Sequence, residues 1–325
     1  MHQRRRLLAL VAALPVFPAL AQPKVARIGI LSARSRPTPS NPEFFWGSFV
    51  EAMRELGWVE GKNLLIEWRY ADGKHERLPD HAQELVRLKL AVIVTHATPA
   101  PALKRATNSI PVVVTSFGDS VSDGFAKSLA HPGGNFTGMT LLQAELGAKY
   151  LEVLRLMQPE VSKVAVLMQR GLSYHPAVLK DIQTAARPLR IQVVPVEVSN
   201  WEEIERGFEA MARDRVKAVI VPASSLGAMH LRQTGDLGLR HRIAVIGVDR
   251  PQVATGGLMS YGADITDNYR RSAVYVDKIL EGAKPGDLPI QQPTKFRLII
   301  NRKTAAALGF AIPRELLLRA DEVID

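Results

Sequence analysis

The sequence predicts an α/β protein of two Rossmann-like lobes, each a doubly wound parallel sheet, with a ligand cleft between them. Three observations carry this expectation. From Lys24 onward, short β-branched runs alternate with amphipathic helical stretches, the pattern of βαβ units around a mostly parallel sheet. The alternation then repeats in the same order between residues 163 and 248, which marks an internal duplication. The length of 325 residues suits about two domains, each large enough to bury its own core.

The first strand is read at 26–31 (ARIGIL), followed by a helix at 43–56 that stops at Gly57. Strand 64–69 (LLIEWR) precedes a helix at 78–89, where Leu78, Ala82, Leu85 and Val86 recur at helical spacing. Strands at 90–95 (LAVIVT) and 111–115 (PVVVT) follow, and His131–Gly138 reads as a glycine turn into a short strand at 136–140. The second set comprises strand 163–168, helix 175–189, strand 191–198, helix 201–214, strand 217–221, helix 226–240 and strand 243–248. Ala91-Val92-Ile93-Val94 matches Ala218-Val219-Ile220-Val221, and each run enters a short polar turn, Thr95–Thr98 or Ala223–Ser225.

The N-terminus follows a different logic. Arg4, Arg5 and Arg6 precede an apolar stretch from Leu7 to Leu20 and an Ala19-Leu20-Ala21 end, the layout of a secretory signal peptide cleaved after Ala21. Pro15 and Pro18 argue against a buried helix there. Removing those three arginines takes the formal charge from +10 to +7. The remaining Lys and Arg are scattered, which reads as a solvated basic surface and not as a nucleic-acid site. No other apolar run is long enough to span a bilayer, so no membrane insertion is expected. The chain has no cysteine, which excludes disulfides, thiolate catalysis and a lipid-bearing N-terminal Cys. A soluble periplasmic protein fits these facts.

Catalytic and cofactor signals are weak. There is no P-loop, no G-x-G-x-x-G, no nucleophile elbow and no short metal spacing among the eight His, so no metal or cofactor is expected. A dispersed Ser-His-Asp set would be recognisable only in three dimensions. Doubly wound sheets instead bind ligands at the carboxyl ends of their strands. That rule selects Ser32, then Thr95, His96, Ala97 and Thr98, then Ser116, Phe117 and Asp119 in the first half. In the second half it selects Gln169, Arg170, Ala223, Ser224 and Asp249. Arg170 suits bidentate pairing with an anionic ligand, and Phe44, Tyr174 and Tyr261 are aromatics near these loops. Thr98 fits a helix N-cap with Pro99 at the first helical position. Pro101 removes a further N–H, so this loop is a poor phosphate cradle and suits one jaw of a clamp.

Five stretches resemble the substrate-binding proteins of ABC transporters of the tryptophan/tyrosine-type group. They are ELGWVEGKNLLIEWRYADGKHERLPDHAQELVRLKLAVIV, HPGGNFTGMT, GGLMSYGAD, YVDKILEGAKPGDLPIQQPTKFRLIIN and ADEVID. The resemblance implies a type I periplasmic-binding fold, two lobes joined by three crossing segments. It implies one lobe from 24–140 plus 258–290, with strand LMSYG and helix 267–282 returning to it. The other lobe would take 141–257 plus 291–325, with strand FRLII and helices near 302–308 and 313–318. It also implies ligand contacts from Thr98 and Asp119, a small-molecule ligand, a permease partner in the inner membrane and a monomeric receptor without enzymatic activity. One departure stands out. Relatives that bind amino acids often carry an Asp in the loop held here by Ala223-Ser224-Ser225, with Asp249 as the nearest substitute. A secreted hydrolase using the same cleft, or a sensory module, would present a similar sequence pattern.

Overall fold

The computed structural model describes residues 25–38, 45–142 and 145–325. Residues 1–21, read above as a signal peptide, and Phe44 lie outside the described residues. The first lobe runs β1 (Ala26–Ser32), α1 (Trp46–Glu55), β2 (Leu64–Tyr70), α2 (Leu78–Arg87), β3 (Val92–Thr95), α3 (Ala100–Ala106), β4 (Val112–Phe117) and β5 (Phe136–Thr140). Its five strands are parallel in the order β2-β1-β3-β4-β5. The second lobe starts with α4 (Gly147–Met157), β6 (Lys163–Gln169), α5 (His175–Leu189), β7 (Gln192–Val198), α6 (Trp201–Arg213) and β8 (Ala218–Ile220). It continues through α7 (Ser225–Met229), α8 (Leu231–His241), β9 (Ala244–Gly247), α9 (Arg250–Ala254) and β10 (Met259–Ala263). After α10 (Ile265–Leu280) come β11 (Phe296–Asn301), α11 (Arg302–Leu308), α12 (Arg314–Arg319) and β12 (Glu322–Ile324).

The second sheet has the order β12-β11-β10-β9-β8-β6-β7. Its β7-β6-β8-β9 portion mirrors β2-β1-β3-β4, so the duplication read in the sequence is a duplication of topology. The β-branched runs of β3, β8 and β9 are buried throughout, as strands covered by helices on both faces must be. In each sheet the chain moves one way from β1 to β2, or from β6 to β7, and then steps back past its starting strand. Strand direction of progress therefore reverses between β1 and β3 and between β6 and β8, and the loops there open a crevice. Gly138, at φ 141 in β5, lies so close to β4 that a Cβ would run into the Val114 carbonyl oxygen.

Two expectations about the C-terminal third need correction. Strand Met259–Ala263 does not return to the first lobe. It pairs in parallel with β9 (Met259 with Ile246) and antiparallel with β11. The short link from α9, Thr255–Leu258, cannot reach the other sheet. Only α10 crosses, immediately after Asp264, whose side chain caps it by accepting from Asp267 N–H at 3.1 Å. On the first lobe, the Tyr269 ring of α10 packs 4.8 Å from Trp46, Asn268 donates to the Thr140 carbonyl at 3.1 Å and Asp277 accepts from Trp58 at 2.8 Å. The stretch at 226–240, expected as one helix, is broken at His230 into α7 and α8.

The other crossings lie between β5 and α4 and after Gln291. Gln291 still bonds first-lobe backbone on both sides, with its N–H to Gly138 and its carbonyl to the Thr140 N–H, each at 2.9 Å. β11 then joins the second sheet, and the terminal ADEVID adds β12 beside it, a strand the sequence reading did not assign.

Candidate functional site

The strand-end loops of both lobes line one interlobe chamber with about 40 Å³ of free volume, room for only a few water-sized groups as the lobes stand. Arg34, two residues beyond β1, enters it from the first lobe with Phe45, His96, Ala97, Thr98 and Ser116. The second lobe supplies Tyr174 after β6, Ala223–Ser225 after β8, and Asp249 with Gln252 after β9. Leu141 and Ile265, at two of the crossings, complete the apolar wall.

The chamber's charges come from opposite lobes. The Arg34 guanidinium stacks over Phe45 at 4.4 Å and lies 5.8 Å from the Tyr269 ring centroid, a cation–π setting that holds its plane. Asp249 caps α9 by accepting from Gln252 N–H at 3.2 Å. Burial pushes its carboxyl up to about 6. The Gln252 hydrogen bond and the Arg34 charge oppose that rise, while Asp264 adds to it. The Gln252 Nε2 group is buried without a hydrogen-bond partner, a donor available to a solute.

Both histidines of the site are neutral braces. His96 Nε2 accepts from Ala33 N–H at 3.1 Å, tying the loop after β3 to the loop after β1. Burial, with Arg34 nearby, holds this imidazole well below its usual range. His175 Nδ1 accepts from Gln169 N–H at 3.0 Å, which leaves Nε2–H to donate to the Ala223 carbonyl at 3.1 Å. Burial pushes His175 down to about 4. With these ring nitrogens engaged, neither histidine is placed to take a proton from Ser224 or Ser225.

The chamber thus gathers His96, Ala97, Thr98, Ser116, Tyr174, Ala223, Ser224 and Asp249 from the sequence reading, and leaves others outside. Ser32 is buried in the turn after β1, where its hydroxyl accepts from Arg34 N–H at 3.2 Å. Thr95 is spent on the Leu31 carbonyl at 2.8 Å. Phe117 packs on Phe125 at 5.4 Å, and Asp119 is exposed, accepting from the N–H groups of Val121 and Ser122. Gln169 braces the second lobe by accepting from Leu226 N–H at 3.0 Å. Tyr261 stacks on Phe296 at 6.2 Å, outside the chamber.

Two assigned roles change. Arg170 is exposed and bonds Ser199 at 2.8 Å, with Glu197 and Glu203 3.8 Å away. The chamber's guanidinium is instead that of Arg34, missed because the strand-end rule stopped short of it after β1. Thr98 is not a helix cap. Pro99 holds the cap position with helical backbone, and the Thr98 hydroxyl reaches across the cleft to Ser225 Oγ at 3.3 Å.

Further contacts join the lobes at the mouth. Ser173 donates to Asp123 at 2.9 Å, His75 and Gln169 approach to 3.4 Å, and the Tyr174 ring rests on Gly118. Among the described residues no cluster of His, Asp or Glu suits a metal ion, and no helix is long and apolar enough to cross a membrane.

Comparison with known proteins agrees with this geometry. Residues 40–324 match the model of the family described as ABC transporter substrate binding protein. The chain is 25% identical over 262 residues to a tyrosine-binding protein of Clostridioides difficile, covering 80% of this chain and 75% of that one. A conserved domain protein from Vibrio cholerae superposes with a TM-score of 0.84 at 25% identity, over 92% of this chain and all of that one. An ABC domain from Streptococcus pneumonia in complex with L-Trp gives 0.82 at 24% identity, over 92% and 99% of the two chains. With its two α/β lobes and the chamber between them, the chain belongs to the family of ABC transporter substrate-binding proteins.

Proposed function

We propose that this chain is the periplasmic receptor of an ABC importer, which closes on one small solute by rotation about its three crossing segments and hands it to an inner-membrane permease. One observation carries the choice of solute. Arg34 from the first lobe and Asp249 from the second face the same partly apolar chamber. A solute bearing both a carboxylate and an ammonium satisfies both groups only when the lobes are together, so it favours the closed form. Phe45 and Tyr174 offer aromatic surface to its side chain. An aromatic or other apolar amino acid meets these demands, which is consistent with the ligands of the tyrosine-binding and L-Trp-bound relatives. Asp249 takes the part for which the Ala223–Ser225 loop has no acid. The engaged ring nitrogens of His96 and His175 speak against hydrolysis in this cleft.

Mass spectrometry of the solute released on denaturing periplasmic material tests the reading, alongside calorimetric titration with L-tyrosine and L-tryptophan. The expected solute carries both charged groups, and small-angle scattering should show a smaller radius of gyration when it is bound. Recovery of a solute lacking either group would remove the basis for the Arg34–Asp249 pairing.

A further inference from the structure

Tyr174 is the second-lobe residue that lines two spaces at once, as Ala97 and Thr98 do from the first lobe. One is the small chamber with Arg34 and Asp249. The other is the wider interlobe groove outside, which it shares with His75, Arg170 and Gly118. Its ring, with the Ala97–Thr98 turn of the first lobe, therefore forms the partition between them. The ring is held from its own lobe: the hydroxyl donates to the Ala223 carbonyl, and the His175 ring stands edge-on at 4.8 Å. The face it meets in the first lobe is Gly118, directly after β4. A Cβ at Gly118 would lie 2.5 Å from Tyr174 Cγ, 2.7 Å from its Cβ and closer still to Cδ1. Gly118 is not in the left-handed region, so its backbone does not require glycine. What requires it is the tyrosine ring of the opposite lobe.

We propose that Gly118 is the seat and Tyr174 the door of the chamber, and that the size of residue 118 sets how far the lobes can close. A side chain at 118 meets a ring that cannot swing aside without giving up its bond to Ala223, so the lobes must stop short. The ring would then no longer divide chamber from groove, and the Thr98–Ser225 bond beside it would open.

The proposal refines the receptor reading, and its test needs no solute, so the two can fail separately. The chain has no cysteine, and Asp123 and Ser173 touch across the mouth at 2.9 Å. A variant carrying Asp123→Cys and Ser173→Cys, treated with a short bifunctional thiol reagent, reports closure as an intramolecular cross-link. Adding Gly118→Val should slow cross-linking by about tenfold or more, as overpacking of a tight contact does. Gly118→Ala should give a smaller effect. Adding Tyr174→Ala to the Gly118→Val variant should restore the parent rate, which a misfolded protein would not do. Equal rates in parent and Gly118→Val, or slowing that persists without the ring, would overturn the proposal.

Discussion

The loop after β3 and the loop after β8 occupy equivalent places in the duplicated topology, yet they spend their hydroxyls differently. In the second lobe Ser224 caps α7, its side chain accepting from Gly227 N–H at 2.9 Å. In the first lobe Pro99 stands at the cap position, without a side chain that could cap α3. Thr98 is thereby released from helix duty and faces the other lobe. The larger contrast has the same form. The first lobe presents Arg34 over aromatic surface, and the second presents Asp249 on a mostly apolar wall that also carries Ser224, Ser225 and Gln252. Duplication sets where loops converge. The residues within each loop decide which groups remain for a solute.

The contrast is most sharply tested through its charges. Arg34→Met keeps much of the side chain's bulk and removes the cation. If the guanidinium holds a solute carboxylate, affinity for L-tyrosine or L-tryptophan should fall by about 2 kcal/mol or more, roughly thirtyfold. Unchanged calorimetric affinity would leave the first-lobe wall with shape and no charge recognition.

Asp249→Asn acts on the other wall and can be read without solute. The carboxyl titrates near 6 when folded, against an ordinary 3.8. The folded state therefore binds more protons between these values, and the ionised group costs stability increasingly as pH rises through the window. Asn still caps α9 but carries no charge. The variant should be more stable than the parent by up to about 3 kcal/mol above pH 6, converging with it below about pH 4. Denaturant titration across pH measures this, and a constant offset at every pH would contradict it. Binding of an ammonium-bearing solute should show the opposite preference and weaken as pH falls through 6.

The two loops separate in a paired experiment. Ser224→Ala should lower stability by about 1 kcal/mol through loss of a cap. Thr98→Val should leave the melting temperature nearly unchanged and reduce solute affinity by about 0.5–1.5 kcal/mol, the worth of one interlobe hydrogen bond. A melting loss in Thr98→Val equal to that in Ser224→Ala would erase the distinction. The smallest effect is expected at Arg170, whose exposed ion pairs contribute little. Arg170→Ala should change affinity and stability by less than about 0.5 kcal/mol each, within the scatter of repeated titrations.

The strand ladder and its repetition were legible because period and order are local properties. Val92–Val94 and Ala218–Val221 announce buried strands wherever they are placed, and the turns after them must lie at sheet ends. Those two facts were enough to bring His96 to Thr98 and Ala223 to Ser224 to the cleft. Asp249 followed from the same rule, since it directly follows the β9 run.

Other features are set by partners distant in sequence, which no local pattern contains. Thr95 and Thr98 are the same residue type three positions apart, but one is buried against the Leu31 carbonyl and the other spans the lobes. Arg34 and Arg170 both follow a strand end, and only the packing of α1 and α10 places aromatic rings under the first. Strand Met259–Ala263 was given to the first lobe by the family resemblance, and its composition, equally good for either sheet, held nothing against that. Its place is decided by the short link from α9 and by pairing with β9 and β11. Sequence by itself determined which segments become strands and helices and which loops meet at the cleft, because hydrophobic period is written along the chain. Tertiary structure alone decided which side chains in those loops are spent on bracing and which line the chamber, because that depends on contacts between residues such as Gly118 and Tyr174 that only folding brings together.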